Sequence, residues 1–282
     1  MKVSYVIQAV CAIIVFALLA YAIIFSKSVK VMAGEETGSE ALYEELENVT
    51  SQEDLLASRA MQQARDLIKA GEYSKANDKL RFLINFYSGV SFADEAKQIL
   101  GALNVDQIMS PGNPKHKTNY QIKRGDSLSR VASKHDSTVE NIMELNGLFY
   151  ANRIQPDQKL VVMSLNFRTV IDVSEKTLSL YDGQTFVTQY PLLDIVYSGR
   201  SKMITTKIDQ TMAYEDGTMI SRISSKYRPN KKANILKAGN LQIRPVKHPD
   251  EPEAGNGFFL SESDMEEYNL FVRKGNEVEI RL

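Results

Sequence analysis

Acyl transfer through a thiolate and zinc held by cysteines both need thiols that this sequence does not supply. Its single cysteine, Cys11, lies inside a long apolar run. That excludes an internal disulfide framework and a cysteine-based zinc site. His248 has the chemistry of a general base, but a base without a nucleophile transfers no acyl group. Ser261 and Ser263 are hydroxyls a reaction could recruit. Both fit better as caps at the start of a helix carrying Met265, Tyr268 and Phe271. The chain is therefore expected to hold no catalytic residue, no metal and no cofactor. A basic run remains: Arg200, Lys202, Lys207, Arg222, Lys226, Arg228, Lys231, Lys232, Lys237, Arg244 and Lys247. On one face these would attract carboxylate-rich or phosphate-bearing polymers. A solvated surface balanced by the acidic residues after Asp250 is the simpler reading. The formal net charge of −1 over 282 residues argues against a general nucleic-acid binder, and the length suits two or three modules.

The most informative stretch runs from Tyr120 to Val162 and reads strand, helix, helix, strand. Ile122 starts the first strand. Leu128, Val131 and Ala132 share one helical face, and Asp126 is placed to cap that helix. Ser137 and Glu140 have capping-box spacing for a second helix, which buries Val139, Ile142 and Leu145. Gly147 just beyond it permits a left-handed stop. Leu160 and Val162 alternate inward on the closing strand. Read plainly, Gly125 and Asp126 build a turn and a cap.

Gly125-Asp126-Ser127-Leu128, then Glu144-Leu145-Asn146-Gly147, then Ile154-Gln155-Pro156-Asp157-Gln158-Lys159-Leu160, resemble a LysM domain over the whole small module. Asp157 replaces the glycine usual at its position. The resemblance implies a βααβ fold that binds N-acetylglucosamine-containing glycans, peptidoglycan in bacteria. It places the ligand in a groove between Gly125-Asp126-Ser127-Leu128 and Ile154-Gln155-Pro156, largely on backbone groups.

From Phe167 the pattern turns to strands. Val170, Ile171 and Val173 lead in, Leu178, Leu180 and Tyr181 follow, Asp182-Gly183 signals a hairpin, and Phe186, Val187 and Tyr190 come next. Gly275 stops the helix that begins at Ser261, and Val278, Ile280 and Leu282 alternate inward. The opening from Val170 to Gly183 and the closing from Ser263 to Val278 resemble an L,D-transpeptidase catalytic domain. That family uses a cysteine in a Ser-x-Gly-Cys-x-Arg motif, activated by a histidine. Here the matching stretch, Gly255 to Ser261, puts Phe258 at the cysteine's place and lacks the motif's arginine. Arg244 and Pro245 stand where Ile-His-Gly is expected. The resemblance thus implies a degenerate site at Arg244 and Phe258, with Phe258 and Phe259 filling the vacated pocket.

The apolar run Val3 to Phe25 is long enough to cross a hydrocarbon core of about 30 Å. Val31-Met32-Ala33 is a passable cleavage site, but Lys27 and Lys30 intervene and favour an uncleaved anchor. The lysines leave orientation open. The LysM resemblance puts the later domains outside the cytoplasm, so a single-pass protein of the bacterial inner membrane is expected. Residues 35–54 are acidic. Three helical faces follow: Ala60, Ala64, Leu67 and Ile68; Ala76, Leu80, Leu83 and Ile84; Ala93, Ala96, Ile99 and Leu100. The run from Ala64 through Gly71 and Tyr73 to Leu80 resembles a tetratricopeptide repeat, one copy and part of the next.

The expected fold class is multidomain α+β. Its parts are an anchor (1–30), an acidic linker (31–54), a helical spacer (55–110), a linker (111–118), a LysM module (119–164) and a mostly-β domain (165–282). The expected function is a membrane-anchored envelope protein that tethers or scaffolds peptidoglycan with an inactive transpeptidase-like domain. The alternatives are an active L,D-transpeptidase with an unrecognised nucleophile, and an adaptor recruiting a cell-wall enzyme.

Overall fold

The computed structural model describes residues 54–87, 92–197, 199, 202–215, 218–220, 232–237, 241–246 and 256–282. The chain divides into two units, Met1–Gln62 and Gln63–Leu282. Of the first, only 54–62 are described, and they are helical. The inner-membrane localisation needs correction. Among the described residues no helix is long and apolar enough to cross a membrane. The run Val3 to Phe25, on which that expectation rested, lies outside them, as do the proposed cleavage site and His248.

Three helices come first: α1 (54–69), α2 (Tyr73–Phe86) and α3 (Ala93–Met109). Gly71, at φ +74, turns the chain between the first two. Ala76, Leu80 and Leu83 of α2 and Ala93, Ala96 and Leu100 of α3 are buried, the faces their spacing requires. Next come β1 (Lys117–Gln121), α4 (Leu128–Lys134), α5 (Val139–Leu145) and β2 (Lys159–Met163), the βααβ order. Their own core contains Ile122, Leu128, Val131, Val139, Ile142 and Leu160.

The remainder is mostly β. Its strands are β3 (Arg168–Asp172), β4 (Thr177–Asp182), β5 (Thr185–Pro191), β6 (Asp194–Val196), β7 (Met203–Glu215), β8 (Thr218–Ile220), β9 (Lys232–Leu236), β10 (Gln242–Pro245), β11 (Gly257–Leu260) and β12 (Glu277–Arg281). One helix, α6 (Glu262–Phe271), interrupts them. The sheet runs β5-β4-β3-β12-β7-β9-β10-β11-β6, with β8 on β7. β7 joins its two halves: Met203 to Lys207 pair with β12, and Ile208 to Ala213 pair with β9. The register shifts between Ile208 and Gln210, and such an irregularity bends a strand. Met265, Tyr268 and Phe271 of α6 are fully buried. Ser261 caps the helix as expected, accepting from Asp264 N at 3.1 Å. Leu282, expected inward, is 45% exposed because β12 ends at Arg281.

The helical segment is docked on the sheet domain. α3 lies on β5, an edge strand of the sheet, and the two come close at Gly101, where a Cβ would stand 2.6 Å from Thr188 Oγ1. One turn on, the buried Asn104 donates to Val187 O at 2.9 Å and to Phe186 O at 3.3 Å. Its Oδ1 accepts from Asn77 Nδ2 and Arg81 Nη2. The βααβ domain is fastened too. Asn141 Nδ2 donates to Leu270 O at 2.9 Å, and just past the domain Leu165 O accepts from Asn276 Nδ2 at 2.9 Å. Arg273 pairs with Asp136 at 3.0 Å, and His116 and Lys115 both reach Asp182.

Candidate glycan-binding site

β1 and β2 pair antiparallel from Lys117 with Met163 to Gln121 with Lys159. One residue later, Ile122 continues the pairing between the two candidate loops. Its N–H donates to Gln158 O at 2.9 Å, and its carbonyl accepts from Asp157 N at 2.8 Å. The first loop, Gly125-Asp126-Ser127, leaves β1 just after this residue. The second, Ile154-Gln155-Pro156, enters β2 just before it. A hydrophobic residue 3% exposed thus joins the chain just before the first loop to the chain just after the second.

The first loop is braced from within. Gly125 sits at φ +87 with open space where a Cβ would be, so conformation rather than crowding calls for glycine. Asp126 Oδ2 accepts from Lys123 N and from the Tyr120 hydroxyl, each at 2.8 Å. The Lys123 N–H foremost, and then the hydroxyl, hold this carboxyl below its ordinary range, while the same bond pushes the Tyr120 hydroxyl up. Arg130 Nη1 donates to Gly125 O at 2.7 Å. The expected role of Asp126 as helix cap is corrected. Ser127 caps α4 by accepting from Arg130 N at 3.3 Å, and Asp126 closes the turn instead. Its carboxylate is held back towards Lys123, away from the helix. On α5 the cap likewise falls one residue late, on Thr138 rather than Ser137, accepting from Asn141 N at 3.2 Å.

Of the residues expected to line the groove, Gly125, Ser127, Gln155 and Pro156 are exposed, and Asp126 and Ile154 are half-buried. Leu128 is 2% exposed and belongs to the core, so its side chain offers nothing to a ligand. Asp157 occupies the glycine position at φ +67. It keeps the left-handed turn and adds a bond from Gln121 Nε2 at 3.0 Å. A side chain in that region costs about 1–2 kcal/mol, and an exposed hydrogen bond returns about half of that. Asp157→Gly should therefore raise stability by roughly 0.5 kcal/mol, seen as a later urea midpoint. An earlier midpoint would show that the Gln121 bond outweighs the strain.

Asn146 was read only as part of a motif. Its side chain clamps β2 to the end of α5. Oδ1 accepts from Val161 N at 2.8 Å, and Nδ2 donates to Val161 O and Ile142 O at 2.7 Å. The signal was an amide-bearing residue directly before the helix-stopping Gly147.

A family model described as LysM domain matches residues 120–162. Residues 120–162 are a LysM domain. The N-acetylmuramoyl-L-alanine amidase sle1 of Staphylococcus saprophyticus is 36% identical over 93 residues, 33% of this chain and 27% of that protein. The amidase of the same name from Staphylococcus aureus strain USA300 is 36% identical over 97 residues, 33% and 28% of the two chains. This chain thus spans about a quarter of the length of the curated relatives it matches. Among solved structures, an Enterococcus faecium L,D-transpeptidase is similar over 41% of this chain and 49% of its own, with TM-score 0.28 and 14% identity. Mycobacterium tuberculosis L,D-transpeptidase 1 is similar over 44% and 67%, with TM-score 0.28 and 11% identity.

Arg244 and Phe258, expected from the sequence as degenerate positions, lie on opposite faces of the sheet. β10 and β11 run parallel, with Ile243 beside Phe258 and Arg244 beside Phe259. Neighbours in register share a face, and successive residues alternate. Ile243 and Phe258, both 0% exposed, point into the main core, where Phe258 packs against the Tyr197 ring at 5.7 Å. Arg244 is on the other face, its guanidinium 5.8 Å from the Phe259 ring. Of the basic run, the side chains of Lys202, Lys207 and Lys237 are described and exposed, and Arg244 is half-buried; the other members' side chains lie outside the described residues.

Proposed function

We propose that this protein binds peptidoglycan through the LysM loops Gly125-Asp126-Ser127 and Ile154-Gln155-Pro156, and that its sheet domain is a scaffold without transpeptidase chemistry. The observation that carries the first part is Ile122, whose backbone bonds to Asp157 and Gln158 tie the chain entering the first loop to the chain leaving the second. Preorganised, exposed backbone groups on adjacent loops suit a polar chain of sugars, since little ordering remains to be done on binding. The staphylococcal relatives are by name amidases of N-acetylmuramoyl-L-alanine, which supports wall glycan as the ligand class.

The second part is supported by the sheet's chemistry. A thiolate nucleophile needs a partly exposed, electropositive setting. The position matched to it holds an apolar ring with no exposure. The face that carries Arg244 presents a second phenylalanine rather than a nucleophile. Docked to the LysM domain through Asn141 and Arg273, the sheet domain works as a rigid mount that tethers or scaffolds the wall.

Sedimentation with purified sacculi tests the reading. The wild-type protein should pellet with them and be released by N-acetylglucosamine oligomers. Gly125→Val, which puts a branched side chain at φ +87, should stay in the supernatant. A wild-type protein that remains soluble beside sacculi would end the proposal.

A further inference from the structure

We propose that a charged cleft beside the LysM domain, on the β3–β12 half of the sheet, binds a short peptide of the wall polymer by its carboxylate and its ammonium. The wall as the source of that peptide rests on the peptidoglycan-binding reading above; the cleft itself is a second site, outside the LysM loops. It measures about 640 Å³, within the roughly 300–1,000 Å³ usual for small-ligand sites. It also lies away from Arg244 and Phe258, since β7 and β9 stand between β12 and β10.

Strand alternation builds its floor. Val278 and Ile280 of β12 point into the main core, so Glu277, Glu279 and Arg281 line the opposite face. On β3, Thr169 turns inward to the Tyr268 hydroxyl at 2.9 Å, which puts Arg168 on the outer face with them. Arg168 Nη1 and Arg281 Nε donate to the two carboxylate oxygens of Glu279, at 2.7 and 2.6 Å. The bond from Arg281 foremost holds the Glu279 carboxyl below its ordinary range, so it stays ionised. The cleft meets the LysM domain at Arg273, whose Nη2 reaches Asp136 and Asn166, each at 3.0 Å.

One carboxylate holding two guanidiniums is an anion site with its donors set in advance. A guanidinium carries five N–H donors. Glu279 takes one from each arginine, and the Arg168 group is further fixed over the Tyr181 ring at 5.2 Å. The donors that remain suit the planar, bidentate geometry of a second carboxylate. Glu277 is exposed on the same face and offers the opposite sign to an ammonium. It stands roughly 7–13 Å along the strand from Glu279 and Arg281, the span of two to four extended residues. Carboxylates among the lining residues repel a polyphosphate, so the mixed signs favour a zwitterionic peptide.

A nuclear magnetic resonance titration of the isotope-labelled whole protein tests this. The separate ligands are the tetrapeptide released from sacculi by amidase digestion, inorganic phosphate and N-acetylglucosamine hexamer. The tetrapeptide should move the amides of Arg168, Glu279 and Arg281. Arg281→Gln and Glu277→Gln should each weaken it about tenfold and leave hexamer binding unchanged. Both side chains are exposed, so both variants should keep the wild-type melting temperature. Unmoved amides, wild-type affinity in either variant, or equal binding of phosphate would overturn the cleft, while hexamer binding would leave the glycan reading in place. Tetrapeptide binding at these amides without hexamer binding would support the cleft and end the LysM glycan reading.

Discussion

Replacing Phe258 by alanine should lower folding stability by about 3–5 kcal/mol, read as a large shift of the urea midpoint. The ring has no exposure and sits with Ile243, Leu260 and Tyr268 in the main core, so its removal leaves a cavity that parallel strands on one side cannot close. Phe258→Cys should be destabilised in the same direction and gain no L,D-transpeptidase activity in a muropeptide cross-linking assay. A thiol there would be surrounded by apolar groups, which raise its pKa and keep it protonated. Adding Arg244→His would not help, because Arg244 and Phe258 lie on opposite faces of their strands, and nucleophile and base work only as a unit. A destabilisation under about 1 kcal/mol would contradict the packing argument. Cross-linking by the wild-type protein or by Phe258→Cys would contradict the scaffold reading.

Asn104→Ala should cost about 2–3 kcal/mol. The residue is 4% exposed and sits at the centre of a polar network between α3, α2 and β5. Truncating it strips a buried donor from the Val187 carbonyl and leaves Asn77 and Arg81 without their shared acceptor, and unmet buried groups are what make such a loss large. Amide exchange should rise in β5 and along α3 together, since Gly101 and Asn104 fasten the same pair of elements. Unchanged protection in β5 would show that the helix is held by its apolar face alone.

The sequence made local features readable and left long-range polar docking hidden. The LysM strands and helices were legible because each apolar residue repeats at the period of its element. The positive-φ positions at Gly147 and Gly183 were legible because glycine favours that region, whereas Gly275, expected to stop the last helix, lies four residues past its end at Phe271, in the turn before β12. Caps were read one residue early, at Asp126 and Ser137. Runs of Asp-Ser and Ser-Thr offer two side chains of similar reach, and only tertiary geometry chooses between them. Asn104, Asn141 and Asn276 were not singled out by the sequence. Their partners, Val187, Leu270 and Leu165, are far away in sequence, and no local spacing reports them. The long strand β7 was not picked out, because residues 203–215 alternate polar and apolar only weakly. The transpeptidase-like match gave Arg244 and Phe258 as a pair. Strand register, which a motif alignment does not contain, places them back to back.

The most direct test of the central claim is a titration of the isotope-labelled protein with N-acetylglucosamine hexamer, following backbone amide shifts. Perturbations are expected at Gly125, Asp126, Ser127, Gln155 and the neighbouring amides of Ile122 and Asp157, with the β10 and β11 amides unmoved. An absence of change at millimolar hexamer, or changes centred on β10 and β11, would contradict it.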